Sequence, residues 1–82
     1  MKLTTKAYGN EVSWTFGSCS SAQSYESYQE YCEECCLAPA EYTLTCTDSY
    51  GDGWHGGFME IEGNNYCDDF QTGYDSTVTV TI

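Results

Sequence analysis

The chain has 82 residues, of which 40% are hydrophobic, and thirteen carboxylates against two lysines give a formal net charge of −11 at pH 7. This length predicts one domain over residues 1–82, with a core so small that covalent or metal links must support it. The scarcity of positive charge excludes nucleic acid and anionic membrane surfaces as partners, and no stretch is long enough to insert into a bilayer.

The N-terminal part of the chain predicts two strands joined by a tight turn. Residues 3–8 form the first, less regular strand, and residues 8–11, with the sequence Tyr-Gly-Asn-Glu, form the turn. In the second strand Val12, Trp14 and Phe16 alternate with polar residues, which is the pattern of a half-buried strand. The first six residues lack the apolar region of a signal peptide, so we expect a mature fragment or an excised module.

Residues 24–36 have a different pattern, which predicts a short amphipathic helix. Tyr25, Tyr28 and Cys32 recur at helical spacing, followed by Cys35 or Cys36. Ser27 and Glu30 fit a capping box, and Pro39 follows the expected end of the helix.

The C-terminal half predicts further strands at residues 42–47, 59–62 and 77–82, each with period-two alternation. Residues 67–70 add a short strand before a turn at residues 71–73. The predicted fold is therefore all-β: a small disulfide-stapled antiparallel β-sandwich of six or seven strands, with one short helix.

Six cysteines predict three disulfides and an oxidising, extracellular compartment. Sequence alone does not choose among the fifteen pairings. A zinc site is the alternative use, because residues 32–35 form a CxxC and His55 offers a further ligand. The scattered positions of the other cysteines favour disulfides. The six residues are Cys19, Cys32, Cys35, Cys36, Cys46 and Cys67.

The acidic, glycine-rich segment at residues 48–54 predicts a Ca²⁺ site, because calcium prefers carboxylate and carbonyl oxygens held in tight loops. It is not an EF-hand, since Tyr50 and Met59 stand where that loop requires oxygen ligands. A bare hairpin whose aspartates form Asx turns is the alternative. The predicted metal ligands are Asp48, Asp52, Trp54 through its carbonyl, Asp68 or Asp69, and Glu60.

Trp54 and the adjacent His55 are two further candidates for binding. Trp54 lies between glycines and either stacks on a sugar ring or covers the core. His55 is the only histidine, and a loop residue with a local hydrogen bond is the commoner role for such a residue. Since so small a domain rarely encloses a cleft, we expect no enzymatic activity.

Three blocks of the chain together resemble a known class of proteins. They are residues 7–14 (AYGNEVSW), residues 36–45 (CLAPAEYTLT) and residues 48–54 (DSYGDGW). In order and spacing they resemble extracellular "DSYGDGW" β-sandwich modules, often in tandem, of secreted and surface proteins from aquatic bacteria, algae and marine invertebrates. Ala40 replaces the glycine that is usual in that pattern. The resemblance implies a small β-sandwich with a structural or adhesive role.

We therefore expect a non-enzymatic, calcium-stabilised structural or adhesive module that acts in a larger extracellular or filamentous assembly. Its partners would be other protein modules or copies of itself, and glycans are a further possibility. Edge pairing through the Thr-rich residues 77–82 offers one route to assembly. A carbohydrate-binding module that uses Trp54 and a small secreted toxin-like protein are the alternatives.

Overall fold

A computed structural model of the protein describes residues 1–21 and 23–82. It contains eight short strands and one 3-10 turn, Gly9–Glu11. The strands are β1 (Lys2–Thr4), β2 (Val12–Phe16), β3 (Cys19–Ser20), β4 (Glu30–Cys32), β5 (Glu41–Asp48), β6 (Phe58–Ile61), β7 (Asn64–Tyr66) and β8 (Asp75–Thr81).

The strands form two four-stranded antiparallel sheets. The first has the order β4-β1-β6-β7 and the second the order β3-β2-β5-β8. All pairings between named strands are antiparallel, and β5 with β8 is the longest, running from Glu41↔Thr81 to Thr47↔Asp75. The predicted all-β sandwich of two antiparallel sheets is confirmed.

The core lies between the sheets and follows the alternation read from the sequence. Trp14 and Phe16 from β2 and Leu44 from β5 are buried, as are Leu3 of β1 and Met59 of β6. Strands β1, β2, β5 and β6 thus contribute their apolar faces, as period-two patterns require. The polar threonines of β8 remain exposed on the outer face.

The predicted helix at residues 24–36 is wrong, because this segment contains a turn at residues 27–28 and the strand β4 within otherwise irregular chain. Thr5 is buried and binds it: the Thr5 hydroxyl donates to the Glu26 carbonyl at 2.6 Å, and the Gln29 amide donates to the Thr5 hydroxyl at 3.0 Å. β4 then pairs with β1. Backbone groups that a helix would pair internally are here bonded to β1 and to the residues that follow it.

Two disulfides, not the predicted three, link the sheets. Cys46 of β5 bonds to Cys67, directly after β7, and Cys19 of β3 bonds to Cys35, after β4. Each bridge closes a loop of roughly 15–20 residues, which in the chain-entropy model stabilises the fold by about 3 kcal/mol. Cys32 and Cys36 are exposed free thiols, so their assignment to a third disulfide is wrong.

Candidate metal centre

The acidic loop between β5 and β6 closes over the start of β2. Asp48 is the last residue of β5 and pairs with Val12, the first residue of β2, so Glu11 lies beside the loop. The Ser49 amide donates to the Glu11 carbonyl at 3.1 Å and thereby ties the loop to that position. Strand register therefore joins residues that lie almost forty positions apart.

A second loop, residues 67–73, supports the acidic loop from the other side. The Trp54 amide donates to the Phe70 carbonyl at 2.8 Å, and the Gly73 amide donates to the Gly51 carbonyl at 3.0 Å. Gly53 has a φ of 78° and lies so close to the Phe70 and Gln71 backbone that a Cβ would collide with it. Glycine is required here because only it accepts both this φ and this close approach.

Asp48 lies at the centre of this arrangement and is 0% exposed. Its Oδ2 accepts a hydrogen bond from the Asp52 amide at 2.6 Å, while its Oδ1 has no partner among the described residues. A buried carboxylate oxygen without a partner is costly, so this atom calls for a proton or a cation.

Three neighbouring side chains also have a buried polar atom without a partner in the described chain. Ligand atoms of Glu11, Asp52 and His55 all lie within 4.8 Å of one another, and Asp48 adjoins them through its hydrogen bond with the Asp52 amide. Ligand atoms of one divalent ion are about 3–5 Å apart, so this spacing suits a single ion. We call Glu11, Asp52 and His55, with the adjoining Asp48, the acidic centre; the unpartnered atoms are Glu11 Oε2, Asp48 Oδ1, Asp52 Oδ1 and His55 Nε2.

The charges of the acidic centre act on one another. Burial, a hydrogen bond with Asp48 and the negative charges of Asp48 and Asp52 raise the pKa of Glu11. Burial alone would raise the pKa of Asp48, but hydrogen bonds with the Asp52 side chain and backbone and with Glu11 lower it. The acidic centre therefore opposes negative charge on Glu11, and a bound cation would relieve that opposition.

His55 completes the centre from the far end of the loop. Its Nε2 lies 3.2 Å from Asp52 Oδ2, and its ring packs on Tyr8 with 5.0 Å between the ring centroids. A depression of about 380 Å³, lined by Asp52, His55, Gly56 and Gln71, opens beside it. The centre is therefore reachable from the surface on the histidine side.

Of the ligands predicted from the sequence, only Asp48 and Asp52 meet in the acidic centre. Glu60 lies on β6 opposite Lys2. The hydrogen bond with Glu30 raises the pKa of Lys2 most, and the charge of Glu60 raises it further. Asp68 and Asp69 are exposed and border a different groove, with residues of β7 and β8. The prediction missed Glu11 and did not count His55 among the calcium ligands. No local signal marks Glu11, because only the register of β2 and β5 places it beside the acidic loop.

Trp54 is a core residue. It is 1% exposed, its indole Nε1 donates to the Thr47 carbonyl at 2.9 Å, and its ring packs on Phe70. Its carbonyl oxygen accepts a hydrogen bond from the Gly57 amide at 2.8 Å. The suggested sugar-stacking role of Trp54 is therefore wrong, since a stacked ligand requires an accessible ring face.

The cysteine-based zinc site is wrong as well. Cys35 is bonded to Cys19, and the potential metal-binding group found among the described residues contains His55 with carboxylates only.

The chain matches no protein-family model, no curated protein and no solved structure. Within residues 1–21 and 23–82, no helix combines the length and apolarity that crossing a membrane requires.

Proposed function

We propose that this chain is a non-enzymatic structural module of an extracellular assembly, stabilised by one divalent cation in the acidic centre. The observation that carries the proposal is that ligand atoms of Glu11, Asp52 and His55 lie within 4.8 Å of one another beside the fully buried Asp48, whose Oδ1 has no partner among the described residues. Such atoms are rare in folded proteins, and a bound ion is one of the few ways to compensate several of them together.

The acidic centre has a mechanical role in this proposal. Its residues come from the turn before β2, from the end of β5 and from the loop that leads to β6, so one ion would tie this end of the second sheet to the connection that enters the first. The cross-link would act at the end of the sandwich where the 67–73 loop packs on the acidic loop. It would thus supplement the two disulfides in a domain whose core is small.

Open edges support the role in assembly. β8 is an edge strand of the second sheet and β4 an edge strand of the first, and Cys32 on β4 is an exposed thiol. Edge strands can pair with another module or with a second copy of the chain. The two disulfides fit an extracellular protein. The net charge of −11 opposes close stacking, and divalent cations would weaken that repulsion.

The test is thermal unfolding of chelator-stripped protein with and without added divalent ions, Ca²⁺ and Zn²⁺ in parallel. An ion at 100 times its dissociation constant adds about 2.7 kcal/mol, which for a domain of this size is about 10–20 °C in Tm. Asp48→Asn combined with Asp52→Asn should abolish the rise.

Asp68→Asn combined with Asp69→Asn is the matched control, because it removes the same two charges from an exposed turn. It should leave the rise intact. Unfolding curves that neither ion moves would refute the proposal.

A further inference from the structure

We infer that the acidic centre selects a zinc-class transition-metal ion over Ca²⁺, with Glu11, Asp52 and His55 as its protein ligands and the buried Asp48 beside them. This inference rests on the proposed function and names the ion. In place of the all-oxygen calcium loop predicted from the sequence, the ligands are two carboxylate oxygens and one imidazole nitrogen.

The donor set decides between the two ions. Ca²⁺ takes six to eight oxygen ligands and gains little from imidazole. Zn²⁺ takes four ligands, and both histidine nitrogen and carboxylate oxygen are among its usual donors. The centre offers three such ligands within 4.8 Å of one another, two carboxylates and the His55 imidazole, which leaves one position of a four-coordinate ion for water.

An ion pair between His55 and Asp52 is the simpler explanation, but it does not account for the other atoms. It would engage His55 Nε2 and Asp52 Oδ2, which are 3.2 Å apart. Glu11 Oε2, Asp48 Oδ1 and Asp52 Oδ1 would remain buried without a donor in the described chain. Asp48 is the decisive residue, because it is fully buried and lies beyond the reach of bulk solvent.

The free thiols must be removed before this site can be measured, because thiolate is itself a strong zinc ligand. Cys32 and Cys36 are exposed, and neither belongs to the acidic centre. We therefore choose Cys32→Ser plus Cys36→Ser as the background for the calorimetric titrations. The two disulfides remain in this background.

The experiment is metal titration of the stripped background protein by calorimetry, with Zn²⁺ and Ca²⁺ as separate probes. We expect one Zn²⁺ per chain, bound about 100-fold or more tightly than Ca²⁺. His55→Asn is the discriminating variant. His55 has a φ of 55°, a conformation that asparagine tolerates well, so the loop should keep its shape without the imidazole.

His55→Asn should weaken Zn²⁺ binding by about 100-fold, since even indirect partners of a metal ligand contribute roughly 10- to 100-fold. Its Ca²⁺ affinity should hardly change, because asparagine supplies an oxygen. Glu60→Gln, on β6, is the control and should leave both affinities unchanged. Circular dichroism of each variant verifies the fold.

X-ray absorption at the zinc edge gives an independent readout in the wild-type chain. We expect nitrogen and oxygen neighbours at about 2.0–2.1 Å and no sulfur shell near about 2.3 Å. A sulfur shell, or a His55→Asn variant that binds Zn²⁺ unchanged, would overturn the inference. Ca²⁺ binding as tight as Zn²⁺ would overturn it while leaving the proposed function intact, whereas binding of neither ion would refute both.

Discussion

Two regions in which the domain buries polar side chains differ in how completely hydrogen bonds satisfy those side chains. In the first, the buried Trp14 Nε1 donates to the Tyr25 hydroxyl at 2.9 Å, and that hydroxyl donates to Glu33 Oε1 at 2.5 Å. Burial and the Glu33 hydrogen bond raise the pKa of Tyr25. In the second, the acidic centre, Asp48 is equally buried but four polar atoms have no partner among the described residues.

The difference comes from the chemistry of the groups. A tyrosine hydroxyl both accepts and donates, so it can link an indole N–H to a carboxylate. Ionised carboxylates only accept, so Glu11, Asp48 and Asp52 cannot satisfy one another without a shared proton or cation. The Tyr25 network is therefore complete as folded, and the acidic centre requires a further positive species.

Gly53→Ala should have the largest effect, because it displaces the loop that forms the acidic centre. Alanine must adopt a φ of 78° and its Cβ would collide with the Phe70 and Gln71 backbone. We expect a loss of about 3 kcal/mol or more, measured by chemical denaturation. Gly73→Ala has a φ of 92° but open space, so it should lose only about 1–2 kcal/mol. Equal losses would show that the contact with Phe70 is unimportant.

Tyr25→Phe should have an intermediate effect that does not depend on metal. It leaves the buried Trp14 N–H without an acceptor, which costs about 1–3 kcal/mol. Chemical denaturation with Zn²⁺ and with chelator should give the same loss. Tyr74→Phe, at a ring that is 65% exposed, should change stability little. A Tyr25→Phe loss that varied with metal would mean that the two polar regions are coupled.

Glu11→Gln should have the smallest effect, and its sign should depend on metal. The raised folded-state pKa of Glu11 means that its stabilisation is complete below the ordinary value of 4.5 and is lost as pH rises through the folded value. Without metal, burial and the charges of Asp48 and Asp52 oppose a negative charge on Glu11, so the neutral glutamine, whose amide N–H groups can donate to Asp48, should stabilise the protein at pH 7.

With Zn²⁺ bound, the same variant removes a ligand and should destabilise the protein. The measurement is the denaturation midpoint at pH 7 in chelator and in saturating Zn²⁺, with the exposed Glu62→Gln as control. A change of the same sign in both conditions would contradict a shared role of Glu11 and the ion.

Local sequence patterns predicted the long strands of the second sheet. The alternation of Trp14 and Phe16, and that of Leu44 and Cys46, placed the buried faces of β2 and β5 correctly. The same reasoning failed at residues 24–36, where helical spacing of Tyr25, Tyr28 and Cys32 coincides with a turn and a short strand. Spacing alone could not show that Thr5 binds the Gln29 backbone and that β4 pairs with β1.

The residues of the acidic centre also differ in whether the sequence indicated them. Asp48 and Asp52 lie in one glycine-rich segment, so the chain itself brings them together and the sequence indicated both. Glu11 depends on the pairing of Val12 with Asp48, a long-range register that no local motif encodes. Asp68 and Asp69 have the same chemistry but face outward, and composition could not separate the two acidic pairs.

Composition and periodicity were enough to indicate an acidic, disulfide-linked, all-β domain with a charged loop, because these properties depend on neighbours along the chain. Three matters depended on the packing of the two sheets: which cysteines pair, which acids are buried, and which side chains meet the loop. Packing decides them because burial removes water from Asp48. Only residues from distant parts of the chain can then supply the hydrogen bonds that water no longer makes.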